Sequence, residues 1–135
     1  MQEKRVVFDV NIFVSYIIKD RMSEIFDMVF DKNIQLCSNS DMRDELEEVL
    51  ARPKFAKHLS APIAYYIDFF NKVTVAYNTV PVFKNCADPK DNYLFDLAYQ
   101  TESDYLVSGD KKVLTTPVKK SLQVVTLAAF KEMVL

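Results

Sequence analysis

The sequence predicts an α/β fold built on a central parallel sheet, and three observations carry that expectation. Val6-Val7-Phe8 and Tyr105-Leu106-Val107 are short apolar runs rich in β-branched and aromatic residues, the pattern of strands buried on both faces. Segments with helical periodicity separate the strand-like runs, which is the βαβ order of parallel strands joined by right-handed crossovers. Polar residues then follow the strands at once, Asp9 and Asn11 after the first and Asp110 after the later one. The carboxyl ends of strands are where open α/β sheets place their ligands.

Taken in order, Val6 to Phe8 forms the first strand and Ile12 to Asp20 the first helix. Ser23 opens a second helix through Lys32, with Ile25, Phe26, Val29 and Phe30 on its buried face and Asn33 at its C-terminal cap. Ile34, Leu36 and Cys37 mark the second strand. Ser40 caps a helix over 41–51 whose apolar stripe is Met42, Leu46, Val49 and Leu50. Between Pro62 and Tyr77 lies a helix apolar over most of its circumference, read first as a central core helix and second as a homodimer or partner surface. Asp88 and Pro89 start a further helix, as N-cap and first helical residue, and Asp91 stands where an acid can bond back to the cap. Tyr105 to Val107 is the next strand. Gly109, the only glycine, then marks a tight bend or a close approach. Leu122 to Val125 and Thr126 to Val134 end the chain as strand and helix.

Composition narrows the function classes. The chain's 135 residues, half of them hydrophobic, suit one domain over 1–135 with an ordinary core. There is no basic-then-apolar leader and no apolar run near the ~18 residues of a membrane span, so the expectation is a cytoplasmic protein with no membrane association. Cys37 and Cys86 are far apart and outside any CxxC arrangement, which suits small buried hydrophobes rather than a disulfide or zinc site. A net charge of −2 does not suit a pure phosphate binder, although an acidic site holding divalent metal can still act on RNA. His58, the single histidine, sits in a polar setting and supports no histidine-based nucleophile or metal scheme.

The chemistry rests on carboxylates. Of the five acids on or beside the 41–51 helix, Glu45 lies roughly 85° from the centre of the apolar stripe and the others about 115° or more, so Glu45 is nearest the buried face. Helix capping alone could account for Asp9, Asp91 and Asp110. Asp96 could be a surface acid or a partner of the others. Yet Asp9, Glu45, Asp91 and Asp110 come from separate elements that a parallel sheet could bring together, and such a cluster persists mainly if a cation or shared protons offset its repulsion. Oxygen-only ligands select hard ions, Mg²⁺ or Mn²⁺, and with no thiol or imidazole nucleophile in reach the fitting chemistry is metal-activated attack of water on a phosphodiester.

Phe8-Asp9-Val10-Asn11, Glu45-Leu46, Asp91 within DNYLFDLA, and Tyr105-Leu-Val-Ser-Gly-Asp110 together resemble the four-acid pattern of PIN domains, in particular VapC-like toxins of toxin–antitoxin systems. The resemblance spans nearly the whole chain. It implies a three-layer α/β/α sandwich with a parallel sheet of four to five strands. It also implies a Mg²⁺- or Mn²⁺-dependent endoribonuclease acting on single-stranded or structured RNA, often a homodimer, held in check by a cognate antitoxin protein. Asp9, Glu45, Asp91 and Asp110 then carry over as metal and catalytic acids, with Asn11 and Ser108 as supporting polar groups; Asp88, a further supporting acid, or Asp96 could compensate for departures from the pattern. The departures are Val10, where the family often has a small hydroxyl residue, and Lys111 and Lys112, where many members place another acid.

Competing classes fare worse. A haloacid-dehalogenase-like phosphatase needs an Asp where Asn11 stands, and a receiver-like domain needs one where Ser38 follows Leu36-Cys37. A non-catalytic PIN-like RNA- or protein-binding module is the remaining alternative.

Overall fold

The structure is a computed structural model describing residues 3–135; Met1 and Gln2, the first two residues of the predicted 1–135 domain, lie outside the described residues. A five-stranded, all-parallel sheet runs in the order β3-β2-β1-β4-β5, with β1 at Lys4–Phe8, β2 at Ile34–Ser38, β3 at Thr74–Ala76, β4 at Tyr105–Val107 and β5 at Gln123–Val125. The three central strands carry the apolar runs: Val6, Val7, Phe8, Leu106 and Val107 are fully buried and Leu36 is nearly so. The chain builds outward from β1 to β2 and β3, then returns past β1 to β4 and β5. The strand order therefore reverses between β1 and β4, the position at which doubly wound sheets open a crevice.

Right-handed crossovers place the helices of the outward run on one face and the helix of the return crossover on the other, giving the α/β/α layering. The first face holds α1 (Val10–Ile18), α2 (Met22–Phe30), α3 (Ser40–Leu50), the short α4 (Pro53–Ala56) and α5 (Ile63–Val73). On that face Phe8 packs its ring 5.6 Å from Phe13 of α1 and 5.8 Å, edge-on, from Phe130 of the last helix, α8 (Leu127–Val134). The return helix α6 (Asn92–Gln100) covers β1, β2 and β4 with Leu94, Phe95, Leu97 and Ala98, all buried. A one-turn helix, α7 (Lys111–Leu114), links β4 to β5.

Several sequence expectations need correction. The helix opened by Pro62 ends at Val73 rather than Tyr77, and Thr74–Ala76 is the edge strand β3; Thr74 Oγ1 still bonds the Phe70 carbonyl at 2.9 Å while its backbone turns extended. Tyr65 of this helix and Val75 of β3 are about half exposed. In α2, Phe30 is 66% exposed and Met28 takes the buried position, because the helix starts at Met22 and its stripe runs through Ile25 and Met28. The cap of α3 is Asn39, whose Oδ1 accepts from Met42 N at 2.9 Å, and Ser40 is the first helical residue. Pro89 opens a single 3-10 turn, Pro89–Asp91, before α6 begins at Asn92.

Gly109 does not adopt a positive φ, and a Cβ built there meets nothing within 4 Å, so neither a left-handed turn nor a close approach requires glycine at this position. The positive-φ positions are Asp20, Asn33 and Glu102, each just beyond a helix. Cys37 and Cys86 are buried free thiols. Among the described residues no helix is long and apolar enough to cross a membrane.

Candidate active site at the carboxyl edge of the sheet

β1 and β4 end in register, Phe8 opposite Val107, and the next residues bring polar groups to the crevice. Asp9 N donates to Val107 O at 2.9 Å, which holds Asp9 against the end of β4. Its side chain does two things there. Oδ1 accepts from Asn11 N at 3.2 Å, capping α1, and Oδ2 accepts from the fully buried Ser108 hydroxyl at 2.7 Å. Ser108 Oγ in turn accepts from Asp110 N at 3.0 Å, so one hydroxyl ties the first acid to the backbone of the last. Asp110 caps α7, accepting from Lys112 N at 2.9 Å. Capping and membership of the cluster thus coexist at both residues.

Val10 is the first residue of α1 and is buried in the core. Asn11 lends the site its backbone N–H; its side chain is exposed and makes no hydrogen bond among the described residues. Lys111 and Lys112 are exposed beside Asp110.

Glu45 reaches the same region from α3. It is half-buried while Asp41, Asp44, Glu47 and Glu48 are exposed, which follows from its position beside the stripe of Met42, Leu46, Val49 and Leu50. Its Oε2 accepts from the Tyr93 hydroxyl, a partner on α6 that local sequence reasoning missed. The signal was available only as an aromatic alcohol two residues after Asp91.

Asp91 sits at the entrance to α6, and its carboxylate caps nothing: Asp88 caps the 3-10 turn by accepting from Lys90 N at 3.3 Å. Asp88 also lies 3.9 Å from Lys90 Nζ. Buried and without a hydrogen-bond donor among the described residues, the Asp91 carboxyl is pushed up to about 6, first by burial and then by repulsion from Asp9, Asp88, Asp110 and Glu45. Burial likewise raises Asp9, against the Ser108 and Asn11 hydrogen bonds, with Asp110 adding to the rise. Glu45 is raised mainly by burial, opposed by the Tyr93 hydrogen bond and reinforced by Asp9. Tyr93 is held in its neutral form by burial and by its bond to Glu45.

The four predicted acids therefore share one electrostatic field, with Asp88 at its margin. Among the described residues no three such groups close into a ready-made ligand set. An open set of carboxylate oxygens, one of them free of any donor, suits a hard cation that keeps several waters and takes only one or two carboxylates directly. Beside the cluster a cavity of about 620 Å³ lies along α3, lined by Glu45 and Tyr93 but not by Asp9, Asp91 or Asp110. Asp96, buried at 6% exposure, also borders this cavity, but its carboxylate accepts from the backbone of Val82 and Phe83.

Comparison with known proteins supplies the family. The chain is 27% identical over 115 residues to the uncharacterized protein MJ1680 of Methanocaldococcus jannaschii, a match covering 82% of this chain and 74% of that one. No solved structure gives a significant match. Residues 5–112 match the PIN domain family, a span that begins in β1 and ends just beyond Asp110. PIN domains are generally nucleases that use divalent metals, and this chain, with its five-stranded parallel sheet and flanking helices, belongs to the PIN domain family.

Proposed function

We propose that the chain is a Mg²⁺- or Mn²⁺-dependent endoribonuclease that hydrolyses RNA phosphodiester bonds, working as one domain over 1–135 in the cytoplasm. The observation that carries this reading is the mutual repulsion of Asp9, Glu45, Asp91 and Asp110 around the β1–β4 crevice, a cluster that persists mainly where a cation or shared protons offset it. Asp9 and Asp91 would hold the ion, with Asp110 and Glu45 beside it. A bound Mg²⁺ or Mn²⁺ supplies charge neutralisation at the phosphate and a water activated near neutral pH. Ser108 and Asn11 N fix both oxygens of Asp9, so the ligand is oriented in advance. Tyr93 fixes Glu45 Oε2 and leaves Oε1 to hold or take a proton.

The narrower reading is the toxin of a type II toxin–antitoxin pair, acting on single-stranded or structured RNA as a homodimer and restrained by an antitoxin protein. It rests on the motif resemblance to VapC-like toxins. Exposed Phe30 and Tyr65, on α2 and α5, supply apolar surface for a second copy.

The test is cleavage of a labelled single-stranded RNA by the purified protein in Mg²⁺, Mn²⁺ or EDTA. Asp9→Asn should lose at least about 100-fold in rate, whereas Asp41→Asn, an exposed acid on α3, should keep it. A Mn²⁺-dependent rise in melting temperature accompanies activity. Absence of both cleavage and the melting shift would mean that these acids are not a metal site, and a non-catalytic binding module would take the place of the nuclease.

A further inference from the structure

Among the described residues Asp96 is the one buried carboxylate outside the four-acid cluster. Its Oδ1 accepts from Phe83 N at 2.8 Å and Val82 N at 3.1 Å, and its Oδ2 lies 3.2 Å from Val82 N. One turn further along α6, Gln100 accepts from Val80 N at 2.9 Å and donates to Val80 O at 2.7 Å. Between them Pro81 has no N–H to satisfy. Every backbone donor of 80–83 is therefore taken by two side chains of one helix, and among the described residues no strand pairs with this segment. Asn39, the cap of α3, adds a bond from Nδ2 to Thr79 Oγ1 at 2.9 Å. Phe83 then stacks on Phe95 at 4.5 Å between ring centres.

The segment so held is a partition. On one side lies the cavity of about 620 Å³ that holds Glu45 and Tyr93; on the other lies one of about 890 Å³ bordered by Lys84, Tyr99 and Lys119. Val80 and Phe83 line both. We propose that Asp96, with Gln100, is a positioning residue that fixes 79–83 as the wall beside Glu45 and thereby sets how tightly the RNA strand is held, without taking part in bond cleavage. The reasoning is that a buried carboxylate accepting main-chain N–H groups forms strong, charge-assisted bonds, and losing it leaves two donors unpaired. The effect on RNA rests on the nuclease reading above; the anchoring does not.

Three variants of the full chain test this by amide hydrogen exchange and by steady-state cleavage of the same labelled RNA. Asp96→Ala should speed exchange at Val82 and Phe83 and raise KM, each about tenfold, with kcat within about twofold of wild type. Asp96→Asn should restore both, because an amide Oδ1 can accept the same two bonds. Gln100→Ala, at an exposed position that threatens folding less, should speed exchange at Val80 and raise KM about threefold. Loss of kcat in Asp96→Asn comparable to that in Asp9→Asn would overturn the proposal by showing that Asp96 acts as an acid. Unchanged exchange in both Asp96→Ala and Gln100→Ala would overturn the anchor itself. If wild type cleaves no RNA under any metal condition, the nuclease reading and the predicted KM effect fall together, and exchange alone judges the anchor.

Discussion

β1 and β4 present two polar edges of opposite character. At the carboxyl edge the proton affinities of Asp9, Glu45 and Asp91 are raised, in part by one another's charge and that of Asp110. At the amino edge the same two strands are joined by complementary groups: Asp104 Oδ2 accepts from Arg5 N at 3.1 Å, Asp104 N donates to Arg5 O at 2.8 Å, and Arg5 Nη1 donates to Thr101 O at 2.8 Å. Behind them the buried Thr101 and Ser103 hydroxyls lie 2.7 Å apart. One edge satisfies its polar atoms within the chain, and the other holds carboxylates that repel one another. Polarity that closes on itself is structural; polarity left in conflict marks the place where something binds.

Breaking the carboxyl edge should have the largest effect. Asp91→Asn should lower RNA cleavage about 100-fold or more while raising the melting temperature of the metal-free protein at neutral pH. The sign follows from linkage. The Asp91 carboxyl titrates near 6 in the folded chain against 3.8 as its ordinary value, so the folded state holds the proton more tightly. Its contribution to stability is fully present below about 3.8 and is lost as the pH rises through about 6. Metal-free wild type should therefore lose melting temperature from pH 4 to pH 7, and Asp91→Asn should flatten that slope. Mn²⁺ at about 100 times its Kd should return roughly 2.7 kcal/mol, and more effectively at pH 7.5 than at pH 5, where protons compete for the carboxylates. A wild-type slope of the opposite sign would contradict the repulsive cluster.

Arg5→Ala should reverse the pattern at the amino edge: about 1–3 kcal/mol of stability lost in denaturant unfolding, with cleavage per folded molecule unchanged. Cleavage falling with stability would show that the two edges are coupled through β1.

The smallest effect is expected at Gly109→Ala, within about 0.5 kcal/mol, since no positive φ or close neighbour restricts a Cβ there. Loss of cleavage at unchanged stability would sharpen the comparison by showing that substrate passes directly over this residue.

Local pattern was enough wherever burial was set within one element. β1 and β4 were legible because they are buried on both faces, and α3 because Met42, Leu46, Val49 and Leu50 repeat at helical spacing. The same periodicity separated half-buried Glu45 from its exposed neighbours. β3 was not legible, because three residues continue an apolar helix with no turn signal and only pairing with β2 makes them a strand. Asn39 and Ser40 are both good caps, and the choice falls to Asn39 because it follows β2 directly with extended backbone. The roles of Tyr93 and Asp96 depend on how α6 is rotated against α3 and against 79–83, a relation between elements that no single segment records.

α6 also sets a phase. Asn92, Asp96 and Gln100 follow at four-residue intervals along one stripe and bind Cys86 N, the 82–83 amides and Val80, while Asp91 and Tyr93 at the same end face the acids. One residue inserted into this helix would turn everything beyond it by about 100°, uncoupling the partition from the acids it borders. The exposed 84–85 stretch has no such phase to keep. Changes of length there would alter the reach of the 79–83 wall and leave its bearing intact, so this wall tolerates a change of loop length only so long as the helix keeps count.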